Sequence, residues 1–182
     1  NIVLIFDECT SGFRETFGGL HKKFNVAPDI CMFGKALGNG YAVTSIIGKR
    51  EIMESAQSTF ISSTFWTERI GSVAALTTLK VMEEEKSWET ISKKGKFIKK
   101  NWLRLAQNHG LEISIGGLSA IPNFSFKYKN NISYKTFISQ EMLKKGFLSS
   151  NVIFVCTKHT ESAISKYFDL LDTIFYKIKK SE

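Results

Sequence analysis

The sequence predicts an α/β fold: a mainly parallel sheet to about residue 86, then an α+β part running to the end of the chain. Three observations carry this. Short apolar runs, "NIVLIF", "DICMFG" and "YAVTSIIG", lack the alternation of a half-exposed strand and are separated by helical or Gly-rich connections, the pattern of covered parallel strands. Two later segments step their apolar residues by three and four, as amphipathic helices do. Between them, "LEISIGG" and "AIPNFSFKY" alternate like strands of a second sheet.

Taken in order, "NIVLIF" reads as a fully buried strand that runs straight into Asp7 and Glu8. "GGLHKKFNV" forms a short helix before the Pro28-Asp29 turn, and "DICMFG" and "YAVTSIIG" supply two further strands. In "RIGSVAALTTLKVMEEE", the residues Ile70, Val73, Ala74, Thr77 and Val81 share one helical face. Trp88, Ile91, Gly95, Ile98, Trp102 and Leu105 form the buried stripe of the next helix, with Lys93, Lys94, Lys96, Lys99, Lys100 and Arg104 elsewhere on the wheel. Gly110 closes that helix as a left-handed cap. "YKTFISQEMLKKG" is a helix ended by Gly146, and "FLSSNVIFVC" leads into another strand. Thr160 caps the last helix, in which Ile164, Phe168, Leu171, Phe175 and Ile178 form the apolar stripe. The domains are therefore 1–86 and 87–182.

Composition narrows the function classes. An apolar share of 43% and an aromatic share of 13% are those of a globular chain, which sets disorder aside. No apolar run approaches the roughly 18–20 residues of a membrane span, so no membrane partner is expected. Cys9, Cys31 and Cys156 fit no CxxC pattern, so neither a disulfide framework nor a metal site is expected, and a reducing, cytoplasmic setting follows. The net charge of +8 comes mainly from lysines, which outnumber arginines by about five to one and sit on helix surfaces. Nucleic-acid readers lean on arginine forks, so no nucleic-acid partner is expected.

Two positions stand out chemically. Asp7 ends an apolar strand, where ligands of open α/β sheets bind, and a carboxylate buried there needs a positive partner. A helix-capping role, or an ion pair with Arg14, is the plainer alternative. Lys35 also follows an apolar strand, with Gly34, Gly38 and Gly40 around it. "GKALGNG" is not a phosphate-binding Walker loop, whose glycines precede the lysine. A lysine so placed can be a nucleophilic amine, or a side chain that only reaches solvent. His21 and His109 read as surface residues, and His159 as structural.

The two positions together carry a resemblance. "LIFDECTSGFR", "PDICMFGKALGNGYAVTSIIGKREIM" and "STFWTERIGSVAALTTL" resemble the class III aminotransferases, pyridoxal-phosphate enzymes of fold type I. Within them the chain is most similar to the branch containing glutamate-1-semialdehyde 2,1-aminomutase. The resemblance is strong over about the first 80 residues and weaker through "CTKHTESAISKYF". It implies part of the large-domain sheet followed by the C-terminal small domain. It also implies pyridoxal 5'-phosphate as cofactor. By that resemblance Lys35 forms a Schiff base with the cofactor aldehyde and moves the substrate α-proton, while Asp7 keeps the pyridine nitrogen protonated. Cys9 stands where the family usually has a ring-packing Val. Thr64 matches the threonine that binds cofactor phosphate in the neighbouring subunit, so a homodimer is implied. Thr10 stands where Gln or an apolar residue is common, "FWTERIG" replaces Gly-Gly-Asn-Pro, and Lys158 breaks the C-terminal pattern.

In that family the segment before "LIFDE" supplies a phosphate-binding Gly-Ser or Gly-Thr loop and a ring-stacking aromatic. The resemblance therefore implies the C-terminal part, somewhat under half, of a longer polypeptide. Its sheet would be incomplete, with an exposed apolar edge, and its cofactor site unfinished. Three functions remain open at this level. The first is transamination between a small-molecule amino donor and a carbonyl or semialdehyde acceptor. The second is an intramolecular amino shift of the aminomutase type, and the third an inactive fragment or interaction module.

Overall fold

The computed structural model describes residues 2–181 and divides them between Glu89 and Thr90 into two units. Among these residues no helix is long and apolar enough to cross a membrane.

In the first unit, β1 (Ile5–Asp7), β2 (Ile30–Phe33) and β3 (Ser45–Gly48) form one sheet in that order. β1 and β2 run parallel, pairing Ile5 with Ile30 and Asp7 with Met32. β3, expected to be parallel, joins antiparallel, with Phe33 opposite Ser45. The reason is length: residues 34–44 fall short of the dozen or more that a parallel crossover needs. A 3-10 turn, Leu20–Phe24, replaces the expected short helix, and a short α1 (Arg50–Met53) follows β3.

The "fully buried" strand is also corrected. Ile2, Val3, Leu4 and Ile5 are exposed, as are Ile46 and Ile47 of β3. Among the described residues one face of this sheet is covered, where Cys31, Phe33 and Leu37 pack with Phe6, Phe13, Val43, Ala75 and Leu79. The last two belong to α2 (Ile70–Glu85), which turns the face of Gly71, Ala75, Leu79 and Met82 inward. The predicted stripe faces the other way: Ile70, Val73 and Val81 are exposed. α2 is apolar over most of its circumference, so periodicity alone does not select the buried side.

The second unit pairs β4 (Ile113–Gly117) with β5 (Pro122–Phe126), antiparallel as predicted. α3 (Ser87–Asn108), α4 (Asn131–Leu143) and α5 (Glu161–Ser181) supply the rest of its core. Ile98, Trp102 and Leu105 of α3 are buried as their spacing predicts, and so are Ile164, Leu171, Phe175 and Ile178 of α5. Tyr167 joins them because Trp102 Nε1 donates to its hydroxyl at 2.9 Å; burial pushes that phenol well above its ordinary range. Gly110 takes the left-handed conformation (φ +60°) and Leu111 N–H bonds back to Ala106 C=O at 2.8 Å, closing α3. Thr160 Oγ1 accepts the Ala163 N–H at 3.2 Å and caps α5.

The strand expected in "FLSSNVIFVC" is reduced to a bridge between Val152 and Asn123. The segment still bonds to β5 and the residues before it, through Phe124 N–H to Asn151 C=O and Ile153 N–H to Pro122 C=O. Pro122 has no N–H to return, so the ladder cannot become regular. His109, expected at the surface, is largely covered and holds Asp172 of α5 at 2.8 Å.

Two outcomes follow. A Cβ on Gly95 would overlap the Ser119 carbonyl oxygen. Helix propensity would favour Ala by about 1 kcal/mol, but overpacking against backbone costs about 1–3 kcal/mol. Gly95→Ala should therefore lower the denaturation midpoint; an unchanged midpoint would show that the loop yields freely. Glu141 on α4 pairs with Lys144 at 2.6 Å and with Lys177 of α5 at 2.8 Å. Hydrogen bonds from those ammonium groups lower its carboxyl from 4.5 to about 2. A carboxyl depressed on folding adds stability above its unfolded value, and that stability disappears as pH falls through the folded one. The stability difference between wild type and Glu141→Gln should be full at neutral pH and shrink between about pH 4.5 and 2; urea titrations across that range measure it, and a pH-independent difference would rule the pairing out.

Candidate active site

The chain after β1 turns sharply. Glu8 N–H continues the ladder to Met32 C=O at 2.9 Å, and Gly12 N–H then closes on Glu8 C=O at 2.8 Å. Gly12 is required here, since a Cβ would run into the Phe33 ring and the Glu8 carbonyl. This turn brings Asp7, Cys9 and Thr10 to the end of the parallel pair, where Lys35 follows β2.

The buried acid is not Asp7. Asp7 is exposed, whereas Glu8 is 4% exposed. Consecutive strand residues point to opposite sides, so two adjacent acids must part ways. Glu8 Oε2 accepts the Leu20 N–H at 2.5 Å and the Ser11 hydroxyl at 3.1 Å; Oε1 accepts the His21 N–H at 2.9 Å and its imidazole Nδ1 at 2.8 Å. Burial alone would raise the Glu8 carboxyl, but these donors outweigh it and hold it below its ordinary value. Glu8 was not among the expected site residues, although two acids closing one apolar strand were its signal. His21, expected at the surface, is half-buried against Glu8.

Asp7 Oδ1 accepts the Cys9 N–H at 3.0 Å. That bond, then the Cys9 thiol and the Lys35 charge, hold its carboxyl below the ordinary range, while the Cys9 thiol is pushed up by the same contact. Arg14 Nε donates to the Thr10 carbonyl at 2.6 Å, and the groups that lower the Asp7 carboxyl are Cys9 and Lys35. Lys35 follows the buried Gly34 and sits in the left-handed region at φ +45°, a conformation that costs a non-glycine residue about 1–2 kcal/mol. Leu37 N–H to Gly34 C=O and Asn39 N–H to Lys35 C=O, both 3.0 Å, hold the turn around it. Its Nζ donates to Thr10 Oγ1 at 2.5 Å, so Thr10 joins the cluster.

Thr64 lies in an exposed turn, and among the described residues no hydrogen bond or ion pair joins it to Asp7, Cys9 or Lys35. Phe65 and Trp66 beside it are exposed. Glu68 has a local role: its carboxylate accepts the Gly71 N–H at 3.0 Å and the Ile70 N–H, capping α2. In the second unit His159 Nδ1 accepts the Cys156 N–H at 3.2 Å, a structural contact.

An ionised carboxylate, a small thiol side chain and a primary amine at the ends of two paired strands suit a ring with a protonated nitrogen at one end and an aldehyde at the other. The donor set therefore fits the ring and aldehyde ends of pyridoxal phosphate. Comparison with known proteins agrees. Residues 1–158 match the family model for class-III aminotransferases. The 3-aminobutyryl-CoA aminotransferase of Cloacimonas acidaminovorans is 30% identical, covering 98% of this chain and 44% of the relative. The glutamate-1-semialdehyde 2,1-aminomutase of Methanocaldococcus jannaschii is 27% identical over 96% of this chain and 45% of its own length. The chain thus spans a little under half of these relatives. The FumI protein of Sphingopyxis sp. MTA144, solved in its PLP internal aldimine form, shares the fold with a TM-score of 0.89 at 22% identity, covering 97% of this chain and 43% of that one. An S-selective transaminase from Arthrobacter sp. does so at 0.81 and 19% identity, over 99% and 45%. The architecture is that of the fold type I transaminases, and the chain belongs to the class-III aminotransferase family.

Proposed function

We propose that this chain carries the lysine-bearing part of a pyridoxal-phosphate site that transfers an amino group from a small-molecule donor to a carbonyl or semialdehyde acceptor. The observation that supports it best is the convergence of Lys35, Thr10, Cys9 and Asp7 at the ends of β1 and β2. The bound cofactor would supply an electron sink for the carbanion left when the α-proton departs.

The chain's own groups have separate tasks. Asp7, held ionised by Cys9, offers a negative partner for a protonated ring nitrogen. Lys35 holds the cofactor through its amine and, as general base, moves the proton at the substrate α-carbon. Thr10 orients that amine. Cys9 packs against the ring, as a small apolar side chain can. Thr64 binds cofactor phosphate in a neighbouring subunit. In support of a homodimer, Thr64 precedes the exposed apolar side of α2, where Ile70, Val73 and Tyr41 line a cleft of about 540 Å³.

An intramolecular amino shift uses the same groups and is favoured by the aminomutases among the relatives. Glutamate semialdehyde offered as sole substrate separates the two: a shift proceeds without added donor or acceptor, a transfer does not. In the intact polypeptide, borohydride reduction after adding pyridoxal phosphate should label Lys35. Lys35→Ala should lose both label and about 10²–10⁴-fold in activity. A label that persists on another lysine would sink the assignment, and no label at all would favour an inactive module. Thr10→Val keeps shape but removes the acceptor of Lys35, an interaction worth about 1 kcal/mol. Cofactor capture should slow by about fivefold at an unchanged melting temperature; an unchanged rate would deny Thr10 its orienting role.

A further inference from the structure

Glu8, His21 and Cys31 come together on the side of β1 and β2 that the catalytic groups do not use. They arrive from three elements: the turn after β1, the Leu20–Phe24 turn, and β2. Glu8 and Cys31 are buried, each 4% exposed, and one ligand-capable atom of each residue lies within 4.8 Å of the others. His21 Nδ1 is 2.8 Å from Glu8 Oε1 and 3.4 Å from Cys31 Sγ. We propose that these three residues form a binding site for one zinc-type divalent cation.

Chemistry and geometry both support it. Nδ1 carries either one proton or one lone pair, so it cannot both donate to Glu8 and accept the thiol hydrogen of Cys31. Three donor atoms therefore converge on the place of a single proton. A tetrahedral zinc ion, at about 2.0 Å from N or O and about 2.3 Å from S, spaces its ligand atoms by about 3.3–3.6 Å. The Sγ–Nδ1 separation already has that value, and Nδ1–Oε1 needs to open by about half an ångström. Carboxylate and thiolate together balance the dication, so no net charge is buried. On binding, the Cys31 S–H bond gives way to a sulfur–metal bond with release of one proton, and the imidazole proton resides on Nε2. The donors that remain on Glu8, from Leu20, His21 and Ser11, would fix the orientation of its carboxylate, as outer partners of metal ligands do.

An entry path exists. His21 and Cys31 line a cleft of about 560 Å³ that opens to solvent, with room for water as the fourth ligand. The two lysines on its rim are engaged, Lys22 with the Phe17 carbonyl at 2.9 Å and Lys49 with Asp29 at 2.7 Å. The ion would tie the Glu8 turn, and with it Asp7 and Cys9, to β2 through one centre.

The test is zinc titration of the chelator-washed intact protein, with competition against a chromophoric chelator and X-ray absorption at the zinc edge. One ion per chain is expected, with a single sulfur at about 2.3 Å and N/O ligands at about 2.0 Å. Affinity should fall by more than about 100-fold in Cys31→Ala, beyond what loss of an outer-shell partner causes. His21→Gln, which keeps an amide to bond Glu8 and so preserves the local fold, should lose affinity likewise. Cys156→Ala, at an exposed cysteine of the other unit, should bind as wild type does. Absence of sulfur from the zinc shell, or equal affinity in Cys31→Ala, would overturn the site and leave a hydrogen-bonded cluster alone.

Discussion

The Glu8 carboxylate is the interaction on which the first unit depends. It is taken out of water and given four donors in return, two of them backbone N–H groups at the start of the Leu20–Phe24 turn. A hydrogen bond to a charged acceptor contributes about 1.5–3 kcal/mol, and a buried one left unmade costs as much or more. This clamp joins the start of the Leu20–Phe24 turn to the end of β1 and so closes the chain from Ser11 to Leu20 into a loop. With it, the preceding residue is forced to the opposite side, and Asp7 is presented where β1 and β2 finish. The electrostatic state of Asp7 is then set locally by the Cys9 N–H and thiol rather than by burial.

The second constraint is backbone strain at Lys35. A left-handed lysine stands here between two buried glycines, Gly34 and Gly38, and the turn is too tight for a side chain at the second: a Cβ on Gly38 would strike the Tyr41 carbonyl. The same short connection makes β3 return antiparallel. Strain of this kind clusters where a side chain must be aimed, and here it aims an amine at Thr10.

The second unit depends on packing instead. Trp102, Phe124 and Phe175 touch in sequence, with ring centroids 4.8 Å and 5.9 Å apart, and are fully buried. The one polar demand inside that cluster, the indole N–H, is met by Tyr167. Its helices were legible because α3 and α5 are lysine-rich on one side and apolar on the other, so a single buried face satisfies the pattern. α2 offered no such contrast, and its inward side was decided by Cys31, Phe33 and Leu37 beneath it.

By itself the sequence determined the two-part α/β organisation, the amphipathic faces of α3 and α5, the caps at Gly110 and Thr160, and the placement of an acid and an amine at the ends of two neighbouring strands. These depend on local spacing and on side chains whose chemistry is fixed wherever they stand. Tertiary structure alone decided which of two adjacent acids is buried, which side of α2 faces inward, the direction of β3, and the meeting of Glu8 with His21 and Cys31. Each of those depends on which distant backbone donors and apolar side chains arrive at the same place. No spacing along the chain encodes that, because a carboxylate is equally content in water or among four donors until the fold removes one of the two choices.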